Sequence, residues 1–185
     1  MTKVIVLLAE GFEEVEALTP VDYLRRMGVE VDMVALTENL IVEGAHGIKI
    51  IANKQIDEIL DYDNYNGVII PGGLPGATNL RDDDRVIKLV KEFNEKKRLV
   101  AAICAGPIVL ARAGIIKGKY VTSYPGFEKD LQDGKYKEDI VVQDGNIITA
   151  RGPAIAVYFA IRISEYLQGA EKAEELKKSI LLDLV

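Results

Sequence analysis

Two hydrophobic periods alternate along the chain. Near-continuous apolar runs, such as residues 3–9 and 99–104, are typical of strands buried on both faces of a sheet. Between such runs lie segments whose apolar positions recur every three residues, and these predict helices. In residues 11–28 the apolar positions are Val15, Leu18, Val21 and Leu24. Pro20 lies within this segment, so we expect it to kink the helix or to begin a second helical segment.

The remaining pattern continues the alternation. The predicted strands and hairpins cover residues 29–36, 40–51, 66–73, 119–125 and 139–153, and the predicted helices cover residues 81–98, 106–114, 154–168 and 170–184. Strands that alternate with helices predict an α/β fold with a mainly parallel sheet and helices on both faces. The chain shows no linker or repeat, so we expect residues 1–185 to form one domain.

Composition narrows the function classes. The net charge is −6 without a basic cluster, which argues against nucleic acid and against anionic membrane surfaces as partners. The first apolar run is too short for a signal peptide or a membrane span. One cysteine cannot form an internal disulfide. We therefore expect a soluble cytoplasmic protein.

No cofactor is indicated by the motifs. One histidine and one cysteine fall short of the usual zinc ligand set, so we expect no metal. The segment GGLPG at residues 72–76 lacks the lysine of a P-loop and the spacing of a dinucleotide fingerprint.

The single cysteine, Cys104, stands between an apolar strand and a helix that begins near Pro107. An unpaired cysteine is often a buried packing residue. However, Ala102 and Gly106 are small, as required on both sides of a nucleophile elbow, and the helix start would lower the pKa of the thiol. A second set of N–H donors is expected from residues 71–73, at the end of another strand. The pattern favours a reactive thiol over a packing residue.

The groups that would assist the thiol are less obvious. His46 is the only histidine, and we interpret it as a surface-turn or interface residue because nothing in the sequence brings its hairpin to the sheet edge. Glu13, Glu14 and Glu16 follow the first strand and should reach the same edge as Cys104. Compensation of the helix dipole suffices to explain Glu13 and Glu14. Glu16 lies between Val15 and Ala17, and a partly buried carboxyl there could exchange a proton with the thiol.

Four segments together resemble a known family: AEGFEEVEALTPVDYLRRMG, VIIPGGLPGATNL, LVAAICAGPIVLARAG and IITARGP. They are similar to the ThiJ/PfpI superfamily, in its branch of DJ-one-like deglycases, over essentially the whole chain. The resemblance implies a flavodoxin-like three-layer sandwich and a homodimer. It implies that Cys104 is the nucleophile, that a protonated Glu16 binds its sulfur, and that Gly73 and Ala105 supply backbone donors. It also implies that Cys104 oxidises to a sulfinate.

The sequence departs from the superfamily at two positions. The protease-like branch has a histidine directly after its cysteine, where this chain has Ala105, so peptidase activity is not expected. The deglycase branch has a histidine in a segment that here reads Thr122-Ser123-Tyr124-Pro125. Tyr124 can donate a hydrogen bond in the pocket, although a phenol is a poor base at neutral pH. It is equally well interpreted as a half-buried strand tyrosine.

The resulting hypothesis is a cysteine-dependent glyoxalase or deglycase that needs no glutathione. Its substrate would be methylglyoxal, a small aldehyde, or an early glycation adduct. The alternative is a stress protein or chaperone in which oxidation of Cys104 is itself the event. An amidotransferase-like hydrolase would need a His-X-Glu partner for its cysteine, and the sequence has none.

Overall fold

The computed structural model describes residues 1–184, which form eleven strands and six α-helices. The strands are β1 Lys3–Leu8, β2 Glu30–Ala35, β3 Ile41–Glu43, β4 Lys49–Ile51, β5 Lys54–Gln55, β6 Gly67–Ile70, β7 Leu99–Ile103, β8 Tyr120–Val121, β9 Lys135–Tyr136, β10 Val141–Asp144 and β11 Ile147–Ala150. The helices are α1 Glu14–Arg26, α2 Gly76–Asp82, α3 Asp84–Glu95, α4 Pro107–Arg112, α5 Ala156–Gln168 and α6 Ala170–Ser179.

Seven strands form the central sheet in the order β10-β11-β7-β6-β1-β2-β5. All neighbours are parallel except β10, which pairs with β11 through the predicted hairpin and its turn at Gly145. Two small two-stranded sheets, β3-β4 and β8-β9, lie outside it. The order of the parallel strands is the flavodoxin-like one, as the sequence predicts.

Alternating residues of β1 enter two separate cores, one on each face of the sheet. Ile5 and Leu7 pack with residues of α2, α3 and α4, whereas Val4, Val6 and Leu8 pack with α1 and α5. This arrangement confirms the prediction of three layers. In the described part of the chain, none of the helices combines the length and the apolar character that crossing a membrane requires.

The sheet places several chain turns at one edge. β1, β6, β7 and β11 run in the same direction, so their last residues, Leu8, Ile70, Ile103 and Ala150, lie along one side. Strand order reverses between β1 and β6, because the chain moves outward from β1 to β2 and then returns to the other side. Open α/β sheets bind ligands at such a reversal.

Helix α1 differs from its sequence prediction in two respects. It is one continuous helix through Pro20, which is buried, so no second segment begins there. Val21 and Leu24 of the expected apolar stripe are buried, but Val15 is 49% exposed, whereas Glu16 has no exposed surface. The face that packs on the sheet therefore contains a carboxyl group in place of a valine.

Candidate active site

Cys104 occupies a strained backbone position directly after β7. Its φ of 63° lies in the left-handed region that L-residues other than glycine rarely adopt. Two hydrogen bonds fix this conformation: the Cys104 N–H donates to the Ala150 oxygen at 2.9 Å, and the Tyr124 N–H donates to the Cys104 oxygen at 2.9 Å. Gly106 is necessary nearby, because a Cβ atom there would lie 2.7 Å from the Ile70 oxygen. The predicted elbow is therefore present.

Glu16 reaches this elbow from the first turn of α1. Its side chain is fully buried, and its Oε2 atom accepts a hydrogen bond from the Gly72 N–H at 2.9 Å. Its other oxygen, Oε1, is buried without a hydrogen-bond partner among the described residues. A Cβ atom on Gly72 would lie 2.7 Å from both the Cys104 Cβ and Glu16 Oε2. Thiol and carboxyl can approach each other only because residue 72 has no side chain.

The backbone N–H groups of Ala105 and Gly73 lie on the side of the Cys104 sulfur and favour its thiolate form. Gly73 has a φ of 83°, and a Cβ atom there would lie 2.3 Å from the Glu13 nitrogen. The structure thus brings together Cys104, Glu16, Gly73 and Ala105, which the sequence singled out. Their chemical roles remain predictions.

Burial controls the ionisation of this pair. Desolvation raises the pKa of Glu16 to about 7, although the hydrogen bond from Gly72 and the neighbouring thiol of Cys104 favour its charged form. Burial and the Glu16 carboxylate raise the pKa of the Cys104 thiol, and the N–H donors of Ala105 and Gly73 only partly offset them. The expectation that the elbow lowers the pKa of the thiol is therefore wrong. The thiol becomes nucleophilic when Glu16 holds the proton that the two groups share.

Tyr124 follows β8 rather than forming part of a strand, so its interpretation as a strand tyrosine is wrong. Its side chain is 48% exposed, and its ring lies over Gly152, where a Cβ atom would come within 3.2 Å of Tyr124 Cδ2. The main chain of Tyr124 holds the elbow through the Cys104 oxygen, whatever its side chain does. A role for the phenol in the pocket stays a prediction.

The interpretation of His46 as a surface-turn residue is confirmed, but its hairpin is linked to the start of α1, which the sequence did not indicate. His46 lies in the turn between β3 and β4, and its Nδ1 is 2.9 Å from Glu14 Oε2. Glu14 Oε1 accepts the His46 N–H at 2.8 Å, so one carboxylate binds both the ring and the main chain of this residue. Glu14 is 4% exposed, and the hairpin bonds lower its pKa against the opposing effect of burial. It anchors the hairpin and does more than compensate the helix dipole.

Two contacts of Glu13 connect the β3–β4 hairpin to the residues around Cys104. Glu13 Oε1 lies 3.5 Å from His46 Nδ1, and the Glu13 N–H donates to the Gly72 oxygen at 3.0 Å. Donor atoms of Glu13, Glu14 and His46 lie within 4.8 Å of one another, a spacing at which a cation can also bind. The close contacts of Glu14 and His46 are already hydrogen bonds within the protein, so we assign no metal to them. The absence of a metal stays a prediction.

The sequence analysis assigned no role of its own to Gly72 and only dipole compensation to Glu14. A Cβ atom on Gly72 would meet both Cys104 and Glu16. The sequence feature that corresponds to the Glu14 contact is Gly44, because a Cβ atom there would lie 2.3 Å from Glu14 Oε1. Only the fold shows that these two positions, thirty residues apart, are in contact.

Comparison with known proteins shows a family similarity over most of the chain. The chain matches the DJ-1/PfpI family over residues 2–166. It is 38% identical to the Parkinson disease protein 7 homolog of Danio rerio over 183 residues, which cover 97% of each chain. It is 37% identical to protein dj-1beta of Drosophila melanogaster over 180 residues, which cover 96% of each chain.

Solved structures show the same similarity. The crystal structure of Drosophila melanogaster DJ-1beta has a TM-score of 0.93 at 37% identity and covers 97% of both chains. The structure described as oxidized DJ-1 of Toxoplasma gondii has a TM-score of 0.93 at 33% identity and covers 98% of both chains.

Proposed function

Because the chain belongs to the DJ-1/PfpI family, we propose that it is a glutathione-independent glyoxalase or deglycase with Cys104 as nucleophile. Its substrate is methylglyoxal or an early glycation adduct, and it acts in the cytoplasm as a homodimer without a metal or nucleotide. One observation carries the proposal. A strained cysteine, a fully buried carboxyl group and two N–H donors meet in one pocket.

The first step is addition of the thiol to the aldehyde. With the shared proton on Glu16, the Cys104 thiolate attacks the aldehyde carbon of methylglyoxal, a C–S bond forms, and the carbonyl π pair moves to oxygen. The N–H groups of Gly73 and Ala105, which favour negative charge on the sulfur, are placed to stabilise this oxyanion as well. Glu16 then protonates the oxygen and leaves a neutral hemithioacetal.

The second step moves a proton between two adjacent carbons. The Glu16 carboxylate removes the proton from the carbon that bears sulfur, which gives an enediolate, and then returns this proton to the neighbouring carbon. The hydroxyl proton of the former aldehyde passes to the former ketone oxygen. The former aldehyde carbon is oxidised to a thioester while the former ketone is reduced to an alcohol, so no external oxidant is needed. Water cleaves the C–S bond, releases lactate and restores the thiol. A pKa near 7 suits Glu16 to both directions of transfer at neutral pH.

The test is consumption of methylglyoxal in the absence of glutathione, with lactate measured as product. We expect turnover in the wild type and none above background in Cys104→Ser. Arg162→Lys, a change on the exposed side of α5, is the control for unrelated effects of substitution. Equal turnover in the wild type and Cys104→Ser contradicts the proposal.

A second candidate is an oxidation sensor, which the two N–H donors and Glu16 around the sulfur favour. Peroxide would convert the thiolate to a sulfenate with release of water, and a second peroxide would give a sulfinate. The donors and a protonated Glu16 would hold the added oxygens and slow further oxidation. The solved Toxoplasma relative is itself described as oxidized.

Mild peroxide followed by intact-mass measurement tests the sensor. We expect the addition of two oxygens that is absent from Cys104→Ser. Formation of sulfonate, or no modification, contradicts it. A protein that forms the sulfinate but consumes no methylglyoxal is a sensor rather than a glyoxalase.

A further inference from the structure

His46 is a solvent-exposed imidazole whose position is fixed by a buried carboxylate. Its side chain is 67% exposed, yet its ring and its main-chain N–H both bind Glu14, which is almost fully buried. A histidine oriented in this way by a carboxylate keeps one ring nitrogen fixed while its charge still responds to solvent pH. The described part of the chain contains no other histidine.

A short chain of contacts leads from this ring to the reactive pair. His46 Nδ1 is 3.5 Å from the carboxylate of Glu13, whose main-chain N–H donates to the Gly72 oxygen at 3.0 Å. The N–H of Gly72 in turn donates to Glu16 at 2.9 Å. Glu13 therefore contacts His46 through its side chain and, through its main chain, contacts Gly72, whose N–H binds Glu16.

We propose that His46 is a positioning residue for the Cys104–Glu16 pair, and that it acts through the carboxylates of Glu13 and Glu14. A positive imidazolium balances these two charges at the edge of the pocket. A neutral imidazole leaves them unbalanced, and their field then opposes further negative charge on Glu16 and Cys104. The inference rests on the proposed reactivity of this pair and adds its regulation by pH.

The charged groups around Glu16 and His46 act in the direction that the proposal requires. The charge of Glu13 raises the pKa of Glu16, and the charges of Glu13 and Glu14 together with the Glu14 hydrogen bond raise the pKa of His46. On the hairpin itself, Lys49 and Glu43 pair with each other at 3.5 Å and so contribute little net charge. His46 is therefore the group on the hairpin that can change the charge balance around Glu13, and Glu14 raises its pKa above the ordinary value.

The test measures the rate of Cys104 alkylation by iodoacetamide between pH 6 and pH 9, in buffer that contains EDTA to exclude bound cations. We expect His46→Gln to slow alkylation about threefold at pH 6, where the wild-type imidazole is charged, and progressively less as pH rises. Glu13→Gln should speed alkylation, because it removes the charge that opposes ionisation of the pair. His46→Lys should be alkylated at least as fast as the wild type at pH 6 and faster at pH 9, since its charge is permanent.

Lys49→Gln is the matched control, because it removes one positive charge from the same hairpin, at a side chain 66% exposed and paired with Glu43. It should leave the alkylation rate at pH 6 unchanged. His46→Gln keeps the main-chain bond to Glu14, and a thermal melt verifies that the hairpin variant is folded. An unchanged rate at pH 6 in His46→Gln, or an equal loss of rate in Lys49→Gln, overturns the inference. A wild-type alkylation rate that does not rise with pH instead contradicts the reactive pair itself.

Discussion

At Glu16, a single substitution can distinguish a chemical role from a structural one. Its carboxylate raises the pKa of the Cys104 thiol, and its proton is the one that the proposed mechanism transfers. Glu16→Gln removes both the charge and the transferable proton but keeps the shape. We therefore expect alkylation of Cys104 at pH 7 to become faster while methylglyoxal turnover falls by about a hundredfold or more.

The two readouts of Glu16→Gln move in opposite directions, which general damage to the pocket would not produce. Glu95→Gln, at an exposed position of α3, is the control and should change neither rate. Turnover retained in Glu16→Gln leaves this carboxyl group with a structural role only.

Tyr124 decides how far the catalytic resemblance extends. Its main-chain N–H holds the Cys104 oxygen, so replacement of its side chain leaves the elbow intact. Tyr124→His introduces an imidazole, which transfers protons near neutral pH better than a phenol does. We expect it to raise methylglyoxal turnover.

Tyr124→Phe is the matched variant, because it removes only the hydroxyl group. A loss of turnover there indicates that the phenol donates a hydrogen bond to the substrate. Equal turnover in the wild type and in both variants removes this side chain from the site.

At the scale of elements, the turn between β6 and α2 determines how closely the thiol and the carboxyl group approach. Gly72→Ala would place a Cβ atom 2.7 Å from both Cys104 Cβ and Glu16 Oε2, and 2.9 Å from the Ala105 nitrogen. The elbow after β7 fixes Cys104 and helix α1 fixes Glu16, so the pair must separate. We expect a loss of turnover of at least tenfold, together with a lower melting temperature.

Gly118→Ala separates these two effects. Its φ of 71° makes an alanine strained, but no atom lies within 4 Å of the added Cβ. It should cost about 1 kcal/mol of stability and leave turnover unchanged. Full activity in Gly72→Ala contradicts the view that this turn sets the approach of the two groups.

At the scale of the whole molecule, burial of Glu16 makes stability depend on pH. An unfolded glutamate has a pKa near 4.5, whereas the folded value is about 7, so the unfolded chain loses this proton first. Stability from this group is complete below pH 4.5 and decreases as pH rises to 7. The full loss is about 3 kcal/mol.

Denaturant unfolding of the wild type and Glu16→Gln at pH 5 and pH 8 measures this effect. Because glutamine has no ionisable proton, the free energy of unfolding of the variant relative to wild type should rise by about 2 kcal/mol between these pH values. The same difference at both values contradicts a raised pKa for Glu16.

Exposed apolar side chains bear on the expected homodimer. Ile41 and Ile51 are opposite each other in β3 and β4 and are 50% and 70% exposed, and Val15 on α1 is 49% exposed. Glu14 joins this hairpin to the start of α1. We predict a dimer whose dissociation constant increases in Ile51→Lys, measured by sedimentation over a concentration series. Leu60→Lys, at a residue 92% exposed, is the control and should not change association. A wild-type chain that is monomeric at all concentrations contradicts the prediction.

The sequence by itself determined the properties that depend on local pattern. Apolar runs and three-residue spacing predicted the strands, the helices and their alternation, because the periods of strand and helix differ. Small residues around Cys104 predicted the elbow, since only they fit a tight turn. Glu16 was found because it interrupts an apolar segment directly after a strand. The fold class followed from these local features together with the resemblance.

Tertiary structure alone decided which distant groups meet and how strongly they are buried. The full burial of Glu16 and the exposure of Val15 depend on how α1 packs against the sheet, which the spacing of apolar residues does not specify. The contact between Glu14 and His46 joins residues 32 positions apart. The raised pKa of the Cys104 thiol arises because desolvation and a neighbouring carboxylate outweigh two N–H donors. Burial and distance are properties of the assembled chain, so they appear only when its elements pack together.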